Sequence, residues 1–257
     1  MEKILEVRNL QVMRNKRMII NNANFDIIKG DYVGIVGPNG GGKTTLLLTI
    51  LGRIPKLNGL IKWFGKNLEE FKEWYKIAFI PQDATNFDNN FPLSVKEFVV
   101  LGRLGRKAGI KIEKEDWEEV ELALEFMGLS DFANRRIGEL SEGQKQRMFV
   151  ARALVRKPEV LILDEPISGM DSTTQEKFYQ KMSELNNKMK VTILMVSHDL
   201  SAVFCRMNKI ICVNKEVYST EIKEEEMKNI EGILRKTYGE HFYFVFHKHE
   251  CKGEFID

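Results

Sequence analysis

The sequence predicts an α/β fold in which the two ends of the chain build one parallel sheet. Short apolar runs bounded by Gly, Asn or Asp dominate the first eighty residues, as is typical of strands. From about Val95 to Val155 the apolar residues recur with helical spacing. Buried-type runs return at Val160–Leu163 and Val191–Val196, on either side of a helix from about Thr173 to Lys190. We therefore expect a helical lobe inserted between two portions of the sheet.

Individual elements follow from the same patterns. The predicted strands of the first portion are Ile4–Val7, Phe25–Ile28, Tyr32–Val36, Gly59–Phe64 and Ile77–Ile80. In the lobe, one helical face carries Trp117, Val120, Leu124 and Met127. After Lys215 the chain becomes charged, and Glu221–Lys228 is predicted to be a solvated helix before the aromatic segment Phe242–Phe246.

Composition narrows the function classes. The 257 residues are 43% hydrophobic and 30% charged, which is ordinary for a globular protein. The chain has thirty-nine basic and thirty-seven acidic residues and no long basic stripe, so nucleic acid is not an expected partner. Apolar runs fall far short of the roughly 20 residues of a membrane-spanning helix. The N-terminal residues lack a signal-peptide pattern and the three cysteines lack paired spacing, so we expect a cytoplasmic protein.

A glycine-rich loop between a predicted strand and a predicted helix carries the strongest signal. It satisfies the pattern G-x-x-x-x-G-K-[ST] with Gly37, Pro38, Asn39, Gly40, Gly41, Gly42, Lys43 and Thr44. Backbone N–H groups of such a loop surround a phosphate, and the helix points its positive end at the same anion. Lys43 is predicted to reach the β- and γ-phosphates of ATP, Thr44 to ligate Mg²⁺, and Thr45 to contact the α-phosphate. A purely structural turn would not need Lys-Thr at this spot.

An acidic pair ends the predicted strand Val160–Leu163. Asp164 is predicted to hold Mg²⁺, and Glu165 to polarise the attacking water. Alone, such a pair is a common strand end. The preceding phosphate loop favours the catalytic interpretation.

The segment Leu140-Ser141-Glu142-Gly143-Gln144 closely resembles the signature of the ABC transporter ATPases, with Glu142 where the family usually has glycine. Ser141 and the Gly143 N–H begin an apolar-faced helix, whose free amides and dipole attract an anion. The resemblance implies that this anion is the γ-phosphate of ATP on the other protomer. The alternative is a serine N-cap, worth about 1 kcal/mol in any helix.

Three weaker motifs stand in the order that the family has. Gln82 resembles the glutamine loop, Ser168-Gly169-Met170-Asp171 resembles the D-loop, and Ser197-His198-Asp199 resembles the histidine switch. The resemblance implies that Gln82 and His198 are catalytic and that Gln82 also ligates Mg²⁺. It covers about residues 3 to 215. One position departs from the family: near residues 12 to 18 there is no aromatic to stack on adenine, and Arg14 could stack its guanidinium there instead.

Finer resemblance points to importers of zinc or manganese. It is carried by residues 37–45, 91–99, 136–141 and 175–179. Importers of iron chelates, siderophores or haem share parts of these segments, and a soluble cofactor-assembly ATPase is a further alternative. A chromosome-type ATPase is disfavoured because no heptad coiled coil lies between Gln82 and Leu140, and a translation factor because one nucleotide domain is present.

The resemblance implies a P-loop nucleotide-binding domain with an N-terminal antiparallel β portion and an inserted helical subdomain. We expect one domain over residues 1–257, with the catalytic core at about 1–87 and 156–215, the helical subdomain at 88–155 and a C-terminal extension at 216–257. It also implies a homodimer whose sites each combine the phosphate loop of one chain with Ser141 and Gly143 of the other. The dimer would sit at the inner face of the cell membrane on a permease, served indirectly by an extracytoplasmic solute-binding protein.

Two further hypotheses concern single segments. The stretch Asp83–Gly102 is predicted to contact the permease through Phe87, Phe91 and Phe98, or else these residues belong to the core of the lobe. The tail histidines His241, His247 and His249 either sense a metal together with Glu250 or Cys251, or are simply solvated.

Overall fold

The computed structural model describes residues 2–105, 111–239 and 242. The strands are β1 Lys3–Arg14, β2 Arg17–Ile28, β3 Tyr32–Val36, β4 Asn58–Trp63, β5 Lys66–Asn67, β6 Ile77–Ile80, β7 Val160–Asp164, β8 Thr192–Val196, β9 Lys209–Asn214 and β10 Glu216–Glu221. The helices are α1 Lys43–Ile50, α2 Val95–Val100, α3 Lys114–Phe126, α4 Glu142–Leu154, α5 Ser172–Met189, α6 Leu200–Arg206 and α7 Met227–Tyr238. Single 3₁₀ turns are Trp74–Lys76, Leu101–Gly105, Ser130–Phe132, Ile137–Glu139 and Glu224–Glu226.

These ten strands form one sheet in the order β5-β4-β1-β2-β10-β9-β3-β8-β7-β6. From β9 to β6 every pairing is parallel, whereas β2, β1, β4 and β5 pair antiparallel. All residues of β3, β7 and β8 are buried, as expected for central strands covered on both faces. The predicted α/β fold with an antiparallel N-terminal portion is therefore confirmed.

Two apolar cores lie on the two faces of the sheet. Alternate residues of β3 divide between them, with Tyr32 and Val36 in one and Val33 and Ile35 in the other. The first core continues into the helical lobe, where α2, α3 and α4 pack together through Val99, Leu124, Met148 and their neighbours. The lobe thus shares a continuous core with one face of the sheet, which restrains its position relative to the strands.

Predicted and observed bounds agree within one residue for the strands of the parallel part that were predicted. The strands Tyr32–Val36 and Ile77–Ile80 begin and end as predicted. The first two strands are longer than predicted, at 12 residues each, because they form a hairpin whose register shifts at several points along its length. These irregularities interrupt the apolar alternation, so the sequence pattern stops before the strand does.

The predicted helix Glu221–Lys228 is wrong. Glu221 ends β10, and the helix α7 begins at Met227 and continues to Tyr238. Its buried face consists of Ile230, Ile233, Leu234 and Thr237. Apolar residues with helical spacing decide the position of this helix, and the preceding acidic run forms only a 3₁₀ turn.

The sheet continues past residue 215, because β10 pairs along its length with β9. The division into catalytic core, helical subdomain and C-terminal extension stays a prediction. The first residues of the predicted extension form β10, which is part of the sheet. Within the described residues, helices long and apolar enough to cross a membrane are absent.

Candidate functional site

The glycine-rich loop joins the end of β3 to the start of α1. Gly37, Gly40 and Gly42 have positive φ angles of 152°, 75° and 108°, which side-chain-bearing residues rarely adopt. A Cβ at Gly37 would lie 2.0 Å from the carbonyl oxygen of Val213, and one at Gly41 would lie 2.7 Å from it. Glycine is therefore required both for the turn and for the close approach of β9 behind it.

The start of α1 is open. Its N-cap is Gly42, which offers no side-chain cap, and the first turn contains no acidic residue. The backbone N–H groups of this turn therefore retain their capacity to bind an anion. Lys43 is buried beside them, and its Nζ donates to the carbonyl oxygens of Gly37 (2.9 Å) and Pro38 (3.1 Å). Burial lowers the pKa of Lys43, opposed by the nearby carboxylates of Glu165 and Asp164.

Asp164 lies at the end of β7, directly behind Thr44. It is 2% exposed, and its Oδ1 atom has no hydrogen-bond partner among the described residues. Burial raises the pKa of Asp164, against the opposing effect of a hydrogen bond from Thr44. A buried carboxylate oxygen without a partner beside a threonine hydroxyl is a hard-oxygen donor set of the kind that suits Mg²⁺.

Glu165 joins two residues that are distant in sequence. Its Oε2 accepts a hydrogen bond from Gln82 Nε2 at 2.9 Å, and its Oε1 lies 2.7 Å from His198 Nε2. Its backbone has a positive φ of 50°, which is rare for a residue with a side chain and is typical of functional sites. Three side chains from the ends of β6, β7 and β8 are thus gathered at the mouth of the phosphate loop.

A cleft of about 1140 Å³ connects these groups. Ten of the predicted site residues line it: Arg14, Asn39, Gly40, Gly42, Lys43, Thr44, Thr45, Gln82, Glu165 and His198. Gly37, Pro38, Gly41 and Asp164 are not among the residues that line the cleft.

Sequence reasoning missed Asn15, Arg17 and Ile19, which line the same cleft. Arg14 and Arg17 pair at the end of the β1–β2 hairpin, whose two loop residues Asn15 and Lys16 both have positive φ. Such a tight turn places Arg14 and Arg17 side by side. The spacing of Arg17 and Ile19, two apart in a strand, was the available signal that both face one side.

The N-terminus of α4 lies elsewhere, because neither Ser141 nor Gly143 lines the cleft. Ser141 caps the helix: its Oγ accepts from the Gln144 N–H at 3.3 Å, and Gln144 Oε1 accepts from the Ser141 N–H at 2.9 Å. A Cβ at Gly143 would lie 2.7 Å from Thr174 Cγ2 on α5. Within one chain, these two residues therefore do not meet the phosphate loop.

Glu142, the departure from the family signature, has its own partners. Its Oε1 accepts from Lys145 Nζ at 3.0 Å, and hydrogen bonds from Lys145 and Thr85 hold the pKa of Glu142 below its usual range. Lys145 also donates to Asn89 Oδ1 at 3.1 Å. The acidic side chain is thus bound to the segment that follows Gln82 and is compensated by a cation.

Comparison with known proteins identifies the family. The model of the family described as "ABC transporter" matches residues 20–168, more than half of the chain. The chain belongs to the ABC transporter family. It is 43% identical to the zinc uptake system ATP-binding protein ZurA of Listeria monocytogenes, over 84% of this chain and 85% of that protein. It is 34% identical to the manganese transport system ATP-binding protein MntB of Bacillus subtilis, over 97% and 98%.

Among solved structures, the chain is similar to the dimeric post-hydrolysis state of the ATP-binding cassette MJ0796, bound to ADP and Pi. The TM-score is 0.74 at 26% identity, covering 86% of this chain and 99% of that one. As a member of the family, the cassette binds ATP and hydrolyses it in a reaction coupled to transport. ABC cassettes act as dimers.

Phe87, Phe91 and Phe98 were predicted either to contact the permease or to belong to the core of the lobe, and they differ in their surroundings. Phe98 contacts Phe149 edge-on with ring centroids 5.0 Å apart, and Phe87 lies 6.4 Å from Phe98. Both are half-buried and pack against the core of the lobe. Phe91 is 51% exposed and remains a candidate contact.

A second depression, the lobe groove, is lined by residues of both the lobe and the sheet and has a volume of about 650 Å³. It is lined by Leu51, Arg53, Trp74, Ile77, Ala78, Phe79, Ile80, Pro81, Ala84, Leu101, Gly102, Phe149, Arg152, Ala153 and Arg156. Three of these side chains are arginines and none is a carboxylate. The lining is therefore mostly apolar, and its charge is positive, with Arg53 exposed and Arg152 and Arg156 half-buried.

The predicted metal-sensing histidines His241, His247 and His249 lie outside the described residues, as do Glu250 and Cys251. Within residues 2–105, 111–239 and 242, groups of three or more metal-ligating side chains are absent.

Proposed function

We propose that this cassette energises the import of a divalent metal ion, zinc or manganese, through a membrane permease. The support is the similarity of most of the chain to ZurA and MntB. The names of these two proteins assign them to zinc uptake and manganese transport. The ion path lies in other chains, so the cassette supplies free energy and leaves ion selection to its partners. The active unit is a homodimer of cassettes at the inner face of the cell membrane, and a solute-binding protein delivers the ion outside.

The roles of the site residues follow from the geometry of the cleft. The open start of α1 and Lys43 bind the phosphates, and Thr45 contacts the α-phosphate. Glu165 takes the proton of the attacking water, while Gln82 and His198 hold its carboxylate in place from two sides. Arg14 stacks on adenine beside Arg17 and Ile19.

Thr44, Asp164 and Gln82 are the residues that would hold Mg²⁺. The partnerless Oδ1 of Asp164 and its hydrogen bond with Thr44 fit this ion. Mg²⁺ neutralises charge on the β- and γ-phosphates when bound. Ser141 and Gly143 complete the site of the second protomer, since neither reaches the cleft of its own chain.

Uptake of labelled zinc and manganese tests the import function. Cells that lack the gene are complemented with the wild-type chain or with Glu165→Gln, and each ion is measured separately. We expect the wild type to restore uptake of one of the two ions and the variant to restore neither, although it is expressed to the same level. Restored uptake of an iron chelate instead would support the siderophore or haem alternative. Failure to co-purify with a membrane subunit would support the cofactor-assembly alternative.

The lobe groove is the proposed docking site of the permease. It opens between the end of β6, which leads to Gln82, and the helices of the lobe, so an occupant touches both parts. Its arginines, of which Arg53 is exposed, suit a loop of the permease that carries an acidic side chain. Arg53 lies over the ring of Phe79, 5.0 Å from its centroid, and is exposed.

Reversal of one groove charge tests this docking. Arg53→Glu should weaken co-purification with the permease and leave the ATPase of the isolated cassette unchanged. Arg135→Glu is the matched control, because Arg135 is also exposed and lies over a ring, that of Phe132, at 4.7 Å outside the groove. Equal co-purification of the two variants would contradict the groove as the docking site.

A further inference from the structure

The segment around His198 is held by hydrogen bonds from its neighbours. Ser197 directly follows β8, and its N–H donates to the carbonyl oxygen of Ile35 at 3.1 Å. The N–H of Asp199 donates to Ser197 Oγ at 3.0 Å, and the Asp199 carboxylate caps α6 by accepting from the Ala202 N–H at 3.0 Å. The residues on both sides of His198 are therefore fixed, while its imidazole is 47% exposed.

A side chain from another helix completes this arrangement. The hydroxyl of Tyr179, on α5, lies 3.0 Å from Ser197 Oγ. Tyr179 is 2% exposed and Ser197 is 1% exposed, so water does not compete for this bond. Burial raises the pKa of Tyr179 to about 12, so the phenol is protonated at neutral pH and either hydroxyl can donate.

The helix that carries Tyr179 begins next to another part of the site. α5 starts at Ser172 with Asp171 as its N-cap, immediately after Ser168, Gly169 and Met170. Gln175 Nε2 donates to the Met170 carbonyl oxygen at 2.8 Å, which ties the first turn of the helix to this segment. Tyr179 lies one turn further along. The helix α5 therefore contacts the segment before it at its first turn and the His198 loop through one buried hydrogen bond.

We propose that Tyr179 is a positioning residue for ATP hydrolysis, which acts through Ser197 to hold His198 against Glu165. His198 is the single residue between Ser197 and Asp199, so the positions of these two neighbours determine where its imidazole lies. The 2.7 Å contact between His198 Nε2 and Glu165 Oε1 depends on that position. Removal of the Tyr179 hydroxyl frees Ser197 Oγ to rotate, and the Asp199 N–H bond weakens with it. Tyr179 itself touches neither the cleft nor the phosphate loop. This inference rests on the proposed role of His198 in hydrolysis.

The neighbouring Tyr32 provides a matched control. Tyr32 is also 2% exposed and lies in the same core as Tyr179, but its hydroxyl has no hydrogen-bond partner among the described residues. Both Tyr→Phe changes remove one buried oxygen from the same core. Only Tyr179→Phe removes a hydrogen bond to the loop that carries His198.

Steady-state ATPase measurements on the full chain test the proposal. Tyr179→Phe should lower kcat about threefold to tenfold with KM for ATP unchanged, the size expected for one buried hydrogen bond. Tyr32→Phe should leave both constants unchanged. Ser197→Ala removes the same bond from the other side and should lower kcat at least as much, and thermal melting confirms that each variant is folded.

A double-mutant cycle separates this proposal from the role of His198 itself. In a His198→Ala background, Tyr179→Phe should lower kcat by less than about twofold, because the residue through which it acts is gone. An equal loss in both backgrounds would show that Tyr179 acts independently of His198 and would overturn the inference. Normal turnover of His198→Ala would instead overturn the proposed role of His198, and the inference with it. Normal turnover of Tyr179→Phe beside a reduced but measurable turnover of His198→Ala would overturn the inference alone.

Discussion

The N-terminus of α1 and the N-terminus of α4 are built from opposite chemistry. α1 begins after Gly42, in a left-handed conformation, with no side-chain cap and no acidic residue in its first turn. α4 begins after Ser141, which forms a capping box with Gln144, and carries Glu142 in its first turn. The first helix leaves its backbone donors open toward the cleft. The second satisfies part of its donors with its own side chains.

This difference matches the proposed division of the ATP site between two protomers. An open glycine start suits a phosphate that the same chain binds and surrounds. A capped start keeps α4 stable in a single chain, and the Ser141 hydroxyl, which accepts from the Gln144 N–H, retains its own proton for an acceptor on the partner. Glu142 would repel a phosphate, but Lys145 and Thr85 bind it. Substitutions at four site positions break or sharpen this comparison.

The largest effect is expected at Glu165. Glu165→Gln keeps the shape of the side chain and removes the base, so hydrolysis should fall by about 10² to 10⁴ while Mg-ATP still binds. ATP should then trap the closed dimer, which size-exclusion chromatography detects. Turnover close to wild type would contradict the assigned role.

Removal of the cation beside α1 is expected to weaken ATP binding itself. Lys43→Ala deletes the ammonium that two loop carbonyls hold at the phosphate loop, and a hydrogen bond to a charged group is worth about 1.5 to 3 kcal/mol. ATP affinity measured by calorimetry should therefore fall about tenfold to a hundredfold. Unchanged affinity would count against the phosphate-loop assignment.

The α4 terminus has a control within the chain. Ser94 caps α2 with the same capping box, formed with Glu97, so Ser94→Ala and Ser141→Ala should each cost about 1 kcal/mol of folding stability. Only Ser141→Ala should also lower ATPase turnover, by about tenfold, because a hydrogen bond to the partner's nucleotide is lost. If both variants melt alike and hydrolyse ATP alike, Ser141 is a cap and nothing more.

The smallest effect is expected at the hairpin of β1 and β2. Arg14→Ala should lower ATP affinity only a few-fold, since a stacking cation at an exposed site contributes about 0.5 to 1 kcal/mol. Arg14→Lys keeps the charge and loses the planar group, so it should bind ATP as weakly as the alanine variant. Wild-type affinity in Arg14→Lys would indicate that charge, and not stacking, is what this position provides.

Local patterns in the sequence determined the fold class and the phosphate loop. Gly37 to Thr44 lie together in the chain, and the spacing of glycine, lysine and threonine between a buried strand and a helix is itself the structural requirement. The family motifs located Gln82 and His198, and the acidic pair at the end of a buried-type strand located Glu165. Each of these follows a parallel strand, and parallel strands end at one edge of the sheet, so their proximity could be expected from the sequence.

Only the tertiary structure decided which atoms meet. The hydrogen bond between Gln82 and Glu165 joins residues 83 positions apart, and its geometry depends on the positive φ of Glu165, which no sequence pattern indicates. Arg17 lines the cleft because the register of the β1–β2 hairpin pairs it with Arg14. The bond between Tyr179 and Ser197 joins a helix to a strand end inside the core. Such contacts depend on how elements pack in three dimensions, and a sequence pattern records only the spacing of residues within one element.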